Sequence, residues 1–188
     1  MTDSNLVWLI TGTSSGIGRE LVLAVLARGD HVIATARASS MNKLAELKAE
    51  GAHTLELDVT MPFEDLQRVV KAAVKIYGRI DVLVNNAGYA LAGPIETSAP
   101  QETLDQFQTN VFGPLNVTRA LLPYMRESRR GTILWAGSLA GWTSIPYTAL
   151  YASTKWAIRG ISEALADELA PFGIKSICLD FGAFRTNM

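Results

Sequence analysis

Tyr151 and Lys155 stand four apart in the run Tyr151-Ala152-Ser153-Thr154-Lys155, a spacing that puts both on one face of a helix. A phenol beside an ammonium suits acid–base chemistry. A phenol ordinarily titrates near 10, so proton exchange at neutral pH needs about 4 kcal/mol of phenolate stabilisation. An ammonium about 5 Å away, in an effective dielectric of about 20, supplies roughly 3 kcal/mol of this. Tyr151 could then give a proton to a carbonyl oxygen or take one from an alcohol. Ser138, upstream in Ser138-Leu139-Ala140-Gly141, offers a hydroxyl to hold the same oxygen. A Tyr–Lys pair at this spacing also arises by chance, so its meaning depends on the rest of the chain.

The rest includes Gly12-Thr13-Ser14-Ser15-Gly16-Ile17-Gly18, lying between an apolar strand-like run and a helical one. Glycines there let the backbone bend and approach a pyrophosphate, while the helix N-terminus supplies unpaired N–H groups and a positive dipole end. Ser14 and Ser15 add hydroxyl donors. The spacing departs from the usual dinucleotide fingerprint, and such turns also serve tight helix–strand packing alone. At the end of the second strand, roughly 20 residues on, an NAD site carries a carboxylate for the ribose 2′-hydroxyl. This sequence has Ala36-Arg37 instead, and a guanidinium suits a 2′-phosphate, so NADP(H) is favoured over NAD(H). The alternative is that Arg37 is a solvated loop residue. With such a cofactor, hydride would pass directly to or from nicotinamide, whose oxidised, cationic ring would complete the phenolate stabilisation.

Asn110 lies inside the helical stretch from Gln101 to Glu127, four residues before Pro114. Proline has no N–H, so the Asn110 carbonyl loses its α-helical partner and could hold a water in line with Lys155. Gly113-Pro114 equally reads as a kink around the core, and both can hold.

These groups need a frame. Strand-like runs recur at Leu6–Thr11, His31–Ala36, His53–Asp58, Asp81–Asn85, Gly131–Ala136 and Ile174–Asp180, separated by helical spacing. Six strands alternating with five helices imply an α/β, doubly wound parallel sheet of the Rossmann type, in a single domain spanning residues 1–188. With 48% hydrophobic residues, 188 residues suffice for one core. Seventeen basic against eighteen acidic residues leave no field favouring nucleic acid or an anionic membrane. No apolar run approaches the roughly 20 residues of a membrane span. One cysteine, Cys178, excludes an internal disulfide and suits a reducing cytoplasm; within an apolar strand it should be an inert buried thiol. His31 and His53 have no acidic or cysteine partners at metal spacing, so no metal is expected.

Taken together, Thr11–Gly18, Asn85-Asn86-Ala87-Gly88, Asn110, Ser138, Tyr151 and Lys155 resemble the short-chain dehydrogenase/reductase family over essentially the whole chain. The resemblance implies that Asn86, Ala87 and Gly88 support the central sheet beside the cofactor and that Asp58 and Val59 flank the adenine. It makes Tyr151 the acid–base residue and Lys155 its partner, also on the nicotinamide ribose, with Ser138 and Asn110 completing a tetrad. Thr186 matches a threonine that reaches the nicotinamide amide, although the preceding Pro-Gly is here Phe181-Gly182. The sequence stops where relatives continue through a substrate lid and a last strand, which implies weaker water exclusion and an uncovered sixth strand.

The pocket wall that remains, Leu91–Ile95 and Leu139–Leu150, leans apolar and favours a hydrophobic small-molecule carbonyl or alcohol. The leading expectation is an NADPH-dependent carbonyl reductase, and the family resemblance implies a possible homodimer through the helices holding Asn110 and Tyr151. The competing one is a cofactor-binding remnant without catalysis, or a partner of a full-length relative.

Overall fold

Apolar residues run almost continuously through strand-like segments such as Val7–Ile10 and Val82–Val84, and burying both faces of such strands calls for helices on each side of one sheet. The computed structural model, which describes residues 5–182, has that arrangement. Strands β1 (Val7–Ile10), β2 (His31–Ala36), β3 (His53–Glu56), β4 (Val82–Asn85), β5 (Gly131–Ala136) and β6 (Ile174–Leu179) form a parallel sheet in the order β3-β2-β1-β4-β5-β6. Helices α1 (Gly16–Ala27) and α2 (Ala45–Ala49) cover one face, where Val22, Val25 and Leu47 pack on Ile10, Val32 and Val84. Helices α3 (Phe63–Tyr77), α5 (Gly113–Ser128) and α6 (Ala149–Leu169) cover the other, where Leu66, Leu121 and Ile158 join Leu9, Leu83 and Ile133. Helix α4 (Pro100–Phe107) precedes α5. The strand order reverses between β1 and β4, so a crevice opens beyond their carboxyl ends, where ligands of such sheets bind.

Two differences from the sequence expectation bear on that crevice. The strands at positions 6–11, 53–58 and 174–180 leave the ladder early, because Thr11, Asp58 and Asp180 turn into the crevice wall or its supports. The expected continuous helix from Gln101 to Glu127 is instead α4, a π-turn at Gln108–Phe112 and α5, which gives six α-helices among the described residues where five were expected. Pro114 cannot donate to Asn110 in the α pattern, and the chain widens so that the Gly113 N–H meets the Gln108 carbonyl. A side chain at Gly113 would meet Val59 at 2.8 Å, so glycine lets this turn lie against the β3–α3 loop.

At the opposite end of the sheet, the buried Asp81 carboxylate accepts from the Val7 N–H and Arg79 Nε, each at 2.9 Å, and from Arg130. It thereby ties β1, β4 and the start of β5 together. Burial works to raise its pKa, but the Val7 N–H and the two guanidiniums outweigh burial and hold the carboxyl below its ordinary value. Stabilisation from this group is complete above the unfolded carboxylate range and fades as pH falls through the lowered folded value. Asp81→Asn is expected to cost about 1–3 kcal/mol in urea unfolding at neutral pH. The difference from the parent chain should shrink in acid, and a pH-independent difference would contradict the assignment.

Candidate active site

Where β1 and β4 end side by side, the buried Thr11 hydroxyl donates to the Val84 carbonyl at 3.2 Å and accepts from the Asn86 and Ala87 N–H groups at 3.0 Å. The Asn86 amide donates to the carbonyls of Thr11 and Gly12 at 2.9 and 3.0 Å. This lattice fixes the Gly-rich turn. Gly12 has φ +70°, and a Cβ there would sit 2.8 Å from Ala87 Cα; one at Gly18 would sit 2.4 Å from Asn86 Nδ2. Only glycine permits both close approaches. The Ser15 side chain does not cap α1, and no acidic residue occupies the helix's first turn. The helix N-terminus therefore keeps its capacity for an anion.

From this turn a continuous cleft of about 760 Å³ crosses the carboxyl ends of the strands. Gly12, Ser14, Ser15, Gly16, Ile17 and Gly18 line one end, with Arg37, Asp58 and Val59 on its flank and Asn86, Ala87 and Gly88 along its floor. Ser138, Tyr151 and Lys155 line the other end. The shape, the glycine cradle and the guanidinium at one flank fit a dinucleotide. Asp58 is fixed by one carboxylate oxygen, which accepts from the Thr60 N–H at 2.9 Å and its hydroxyl at 2.7 Å.

Helix α6 carries Tyr151 and Lys155 on one face, with Lys155 Nζ 5.5 Å from the centre of the tyrosine ring. The ammonium is buried and donates to the Ala136 carbonyl at 2.7 Å. Burial lowers its pKa to about 8, partly countered by Cys178, so the group is still mostly charged at neutral pH. Ser138 caps the 3-10 turn Leu139–Gly141, its oxygen accepting from the Ala140 N–H at 3.2 Å. The hydroxyl proton remains available to a ligand oxygen.

Asn110 stands behind the cleft wall rather than on it. Its amide donates to the Tyr89 carbonyl at 2.8 Å and to the Thr154 hydroxyl at 3.2 Å, and its oxygen accepts from the Tyr89 N–H at 3.1 Å. The fully buried Gln106 repeats the pattern, donating to the Tyr89 carbonyl at 2.6 Å and accepting from the Leu91 N–H at 2.8 Å. Together they hold the loop after β4 at the cleft rim. Gln106 was not singled out in the sequence, although a polar residue four before Asn110 was the available signal. Thr154 had none. Thr186 lies outside the described residues.

Cys178 is only half-buried, contrary to expectation; burial first, then Asp180, pushes its thiol up to about 11, which keeps it inert at neutral pH. Among the described residues, no cluster of His, Cys, Asp and Glu could hold a metal, and no helix is long and apolar enough to cross a membrane.

The family model described as short chain dehydrogenase matches residues 6–188. The chain is 39% identical over 178 residues to a 3-ketodihydrosphingosine reductase of Bacteroides thetaiotaomicron, covering 95% of this chain and 64% of the relative. A crystal structure of a short-chain dehydrogenase from Streptomyces avermitilis superposes with TM-score 0.93 at 45% identity, covering all of this chain and 69% of the other. An F189W actinorhodin polyketide ketoreductase with NADPH superposes at 0.91 and 32% identity, covering 99% and 73%. The chain spans about two thirds of the length of the curated relatives it matches.

The buried ammonium has a measurable consequence. With a folded pKa of about 8 against 10.5, Lys155 weakens the fold at every pH below about 8, and that cost disappears as pH rises toward 10.5. The shift corresponds to about 3 kcal/mol, less about 1 for the hydrogen bond to Ala136. Lys155→Met should therefore stabilise the chain by about 2 kcal/mol at pH 7, with the gain shrinking above pH 8. Equal or lower stability at pH 7 would refute the charge-burial account.

Proposed function

The chain belongs to the short chain dehydrogenase family, and on that footing we propose that it is an NADP(H)-dependent oxidoreductase that interconverts a carbonyl compound and its secondary alcohol. The observation that carries the proposal is a single cleft joining the Gly-rich turn at α1 to Ser138, Tyr151 and Lys155. Arg37 at the flank, where an NAD site carries an acid, supports NADP(H) over NAD(H), as does the NADPH in a solved relative. Gly12, Ser14, Ser15, Gly16, Ile17 and Gly18 take the pyrophosphate, Asp58 and Val59 bound the adenine, and Asn86, Ala87 and Gly88 support the middle of the dinucleotide. Thr186 is assigned to the nicotinamide amide on family resemblance alone.

The nicotinamide, when bound, gives or takes the hydride. Tyr151 passes its hydroxyl proton to the carbonyl oxygen during reduction and removes it during oxidation. Ser138 donates a hydrogen bond to the same oxygen, and the Lys155 ammonium offsets the negative charge left when Tyr151 has given up its proton. Asn110 acts through the Tyr89 backbone and Thr154, as a positioning residue.

Tyr89 lines the cleft, and Ile95, Leu139, Ile145 and Tyr147 are exposed on the loops that continue from the lining residues Ala90 and Ser138; the Gly93 N–H bonds the Tyr147 carbonyl at 2.8 Å, bringing the two apolar loops together. This rim, and the ketones named for two relatives, support an extended apolar ketone as substrate. Leu104, Phe112 and Trp156 are exposed on α4, the π-turn and α6, which supports pairing with a second copy through that face. A single free thiol supports a reducing, cytoplasmic setting.

Tyr151→Phe should lower kcat for an apolar ketone by at least about 100-fold while NADPH affinity, read by energy transfer from tryptophan, changes little. Arg37→Ala should weaken NADPH binding by roughly 10–100-fold and leave NADH within about threefold. Turnover that survives Tyr151→Phe would remove the phenol from the mechanism. An equal loss for both cofactors would remove Arg37 from phosphate recognition.

A further inference from the structure

The loop after Ser138 is held from outside the cleft by a cluster absent from the roles assigned so far. Trp142 Nε1 donates to Asp180 Oδ2 at 2.6 Å, and Arg159 Nη1 donates to the same oxygen at 2.9 Å. The Arg159 guanidinium also lies over the Trp142 ring, 3.3 Å from its centre, and Arg159 Nε pairs with Glu163 at 3.1 Å. Two elements, the 3-10 turn ending at Trp142 and helix α6, thus converge on one carboxylate just past β6.

That carboxylate sits against the backbone leading into Ser138. A Cβ on Gly137 would lie 2.3 Å from Asp180 Oδ1 and 2.6 Å from Cys178 Sγ, so the absence of a side chain lets Asp180 reach this position. The flanking residue Ala136 accepts the Lys155 ammonium. One residue beyond Ser138, the Leu139 N–H donates to the Phe181 carbonyl at 3.0 Å. The segment from Ala136 to Leu139 is therefore held on both sides of Ser138, at Ala136 by Lys155 and at Gly137 and Leu139 by the Asp180–Phe181 segment.

Trp142 makes this clamp informative. The residue is 58% exposed, so hydrophobic burial alone does not hold it in place. A directed N–H to a carboxylate, reinforced by a stacked guanidinium, does.

Resting on the oxidoreductase reading above, we propose that Asp180, with Trp142 and Arg159, is a positioning residue that fixes the Ser138 hydroxyl against the reacting oxygen from outside the cleft. A hydroxyl displaced by a fraction of an ångström loses its share of transition-state stabilisation while the remote cofactor contacts stay intact. Removing the clamp should act on kcat and leave cofactor affinity unchanged.

Two arms test this on the full chain. In the first, amide hydrogen exchange is followed over residues 138–142 in the parent chain, Trp142→Phe and Asp180→Asn. Trp142→Phe removes the N–H donor while keeping a smaller aromatic ring on the Arg159 side. Exchange at least about fivefold faster in that segment, with the sheet amides unchanged, is the expected result; unchanged exchange in both variants overturns the clamp. This arm needs no turnover, so it decides the proposal even if the chain reduces no ketone with NADPH or NADH, an outcome that would count against the proposed function instead. In the second arm, Trp142→Phe is expected to lower kcat about tenfold with NADPH affinity within twofold. It should lower kcat little further when Ser138 is already alanine, because both changes remove the same interaction. Independent, multiplying losses would mean that the cluster does not act through Ser138.

Discussion

The buried hydroxyl of Thr11 holds the two halves of the sheet together at the point where strand order reverses. Parallel strands on either side of such a reversal send their helices to opposite faces, and the connections diverge. Divergence makes the crevice but leaves the N–H groups of Asn86 and Ala87 without a ladder to join. Thr11 accepts from both with one oxygen, sharing the Asn86 N–H with the Val84 carbonyl, and the Asn86 side chain returns the support by donating to the Thr11 and Gly12 carbonyls. The resulting contact is so close that Gly12 and Gly18 cannot carry a side chain without displacing Asn86 or Ala87. The glycines therefore follow from packing as well as from the needs of a ligand, and the surface they leave is bare backbone at a helix N-terminus.

The far end of the cleft is built on a different balance. Its charged group is buried at a cost to the fold, since Lys155 is held where burial disfavours its charge and it donates to the Ala136 carbonyl rather than to a carboxylate. A protein of ordinary stability can carry a cost of a few kcal/mol at one site if the rest of the core is sound. Both hydrophobic clusters here are continuous from strands to helices. The polar network around Asn110, Gln106 and Thr154 then places the neighbouring loop through backbone atoms, so the wall does not depend on which side chains face substrate.

Legibility in the sequence followed the range of the interactions. Strand runs and the Gly-rich turn are local patterns, and the six strands and the cradle stand where that pattern put them. Pro114 signalled a disturbed helix, but a missing N–H says only that one bond is lost; the choice of a π-turn over a kink depends on Gly113 lying against Val59. Asn110 was legible as a residue of interest through its neighbour in sequence, whereas its partners Tyr89 and Thr154 lie 21 and 44 positions away. Asp180, Arg159 and Trp142 carry no local signature at all, because their relation exists only once β6 pairs with β5 and α6 packs beside them.

These differences divide the cleft by what can change independently. At the Gly-rich end, the cleft surface is backbone locked by buried hydrogen bonds, so a substitution there disturbs the meeting of β1 and β4. Arg37 is the exception, because its side chain stands at the flank, outside that lattice. On the loops that continue from the cleft lining, Ile95, Leu139, Ile145 and Tyr147 are more than half exposed, and those loops are fixed through main-chain bonds such as Gly93 to Tyr147. Side chains that contribute little to folding can be exchanged without moving the groups that do chemistry. Under the proposed function, the side chains of these loops can therefore vary while Ser138, Tyr151 and Lys155, held by β5 and α6, keep their arrangement.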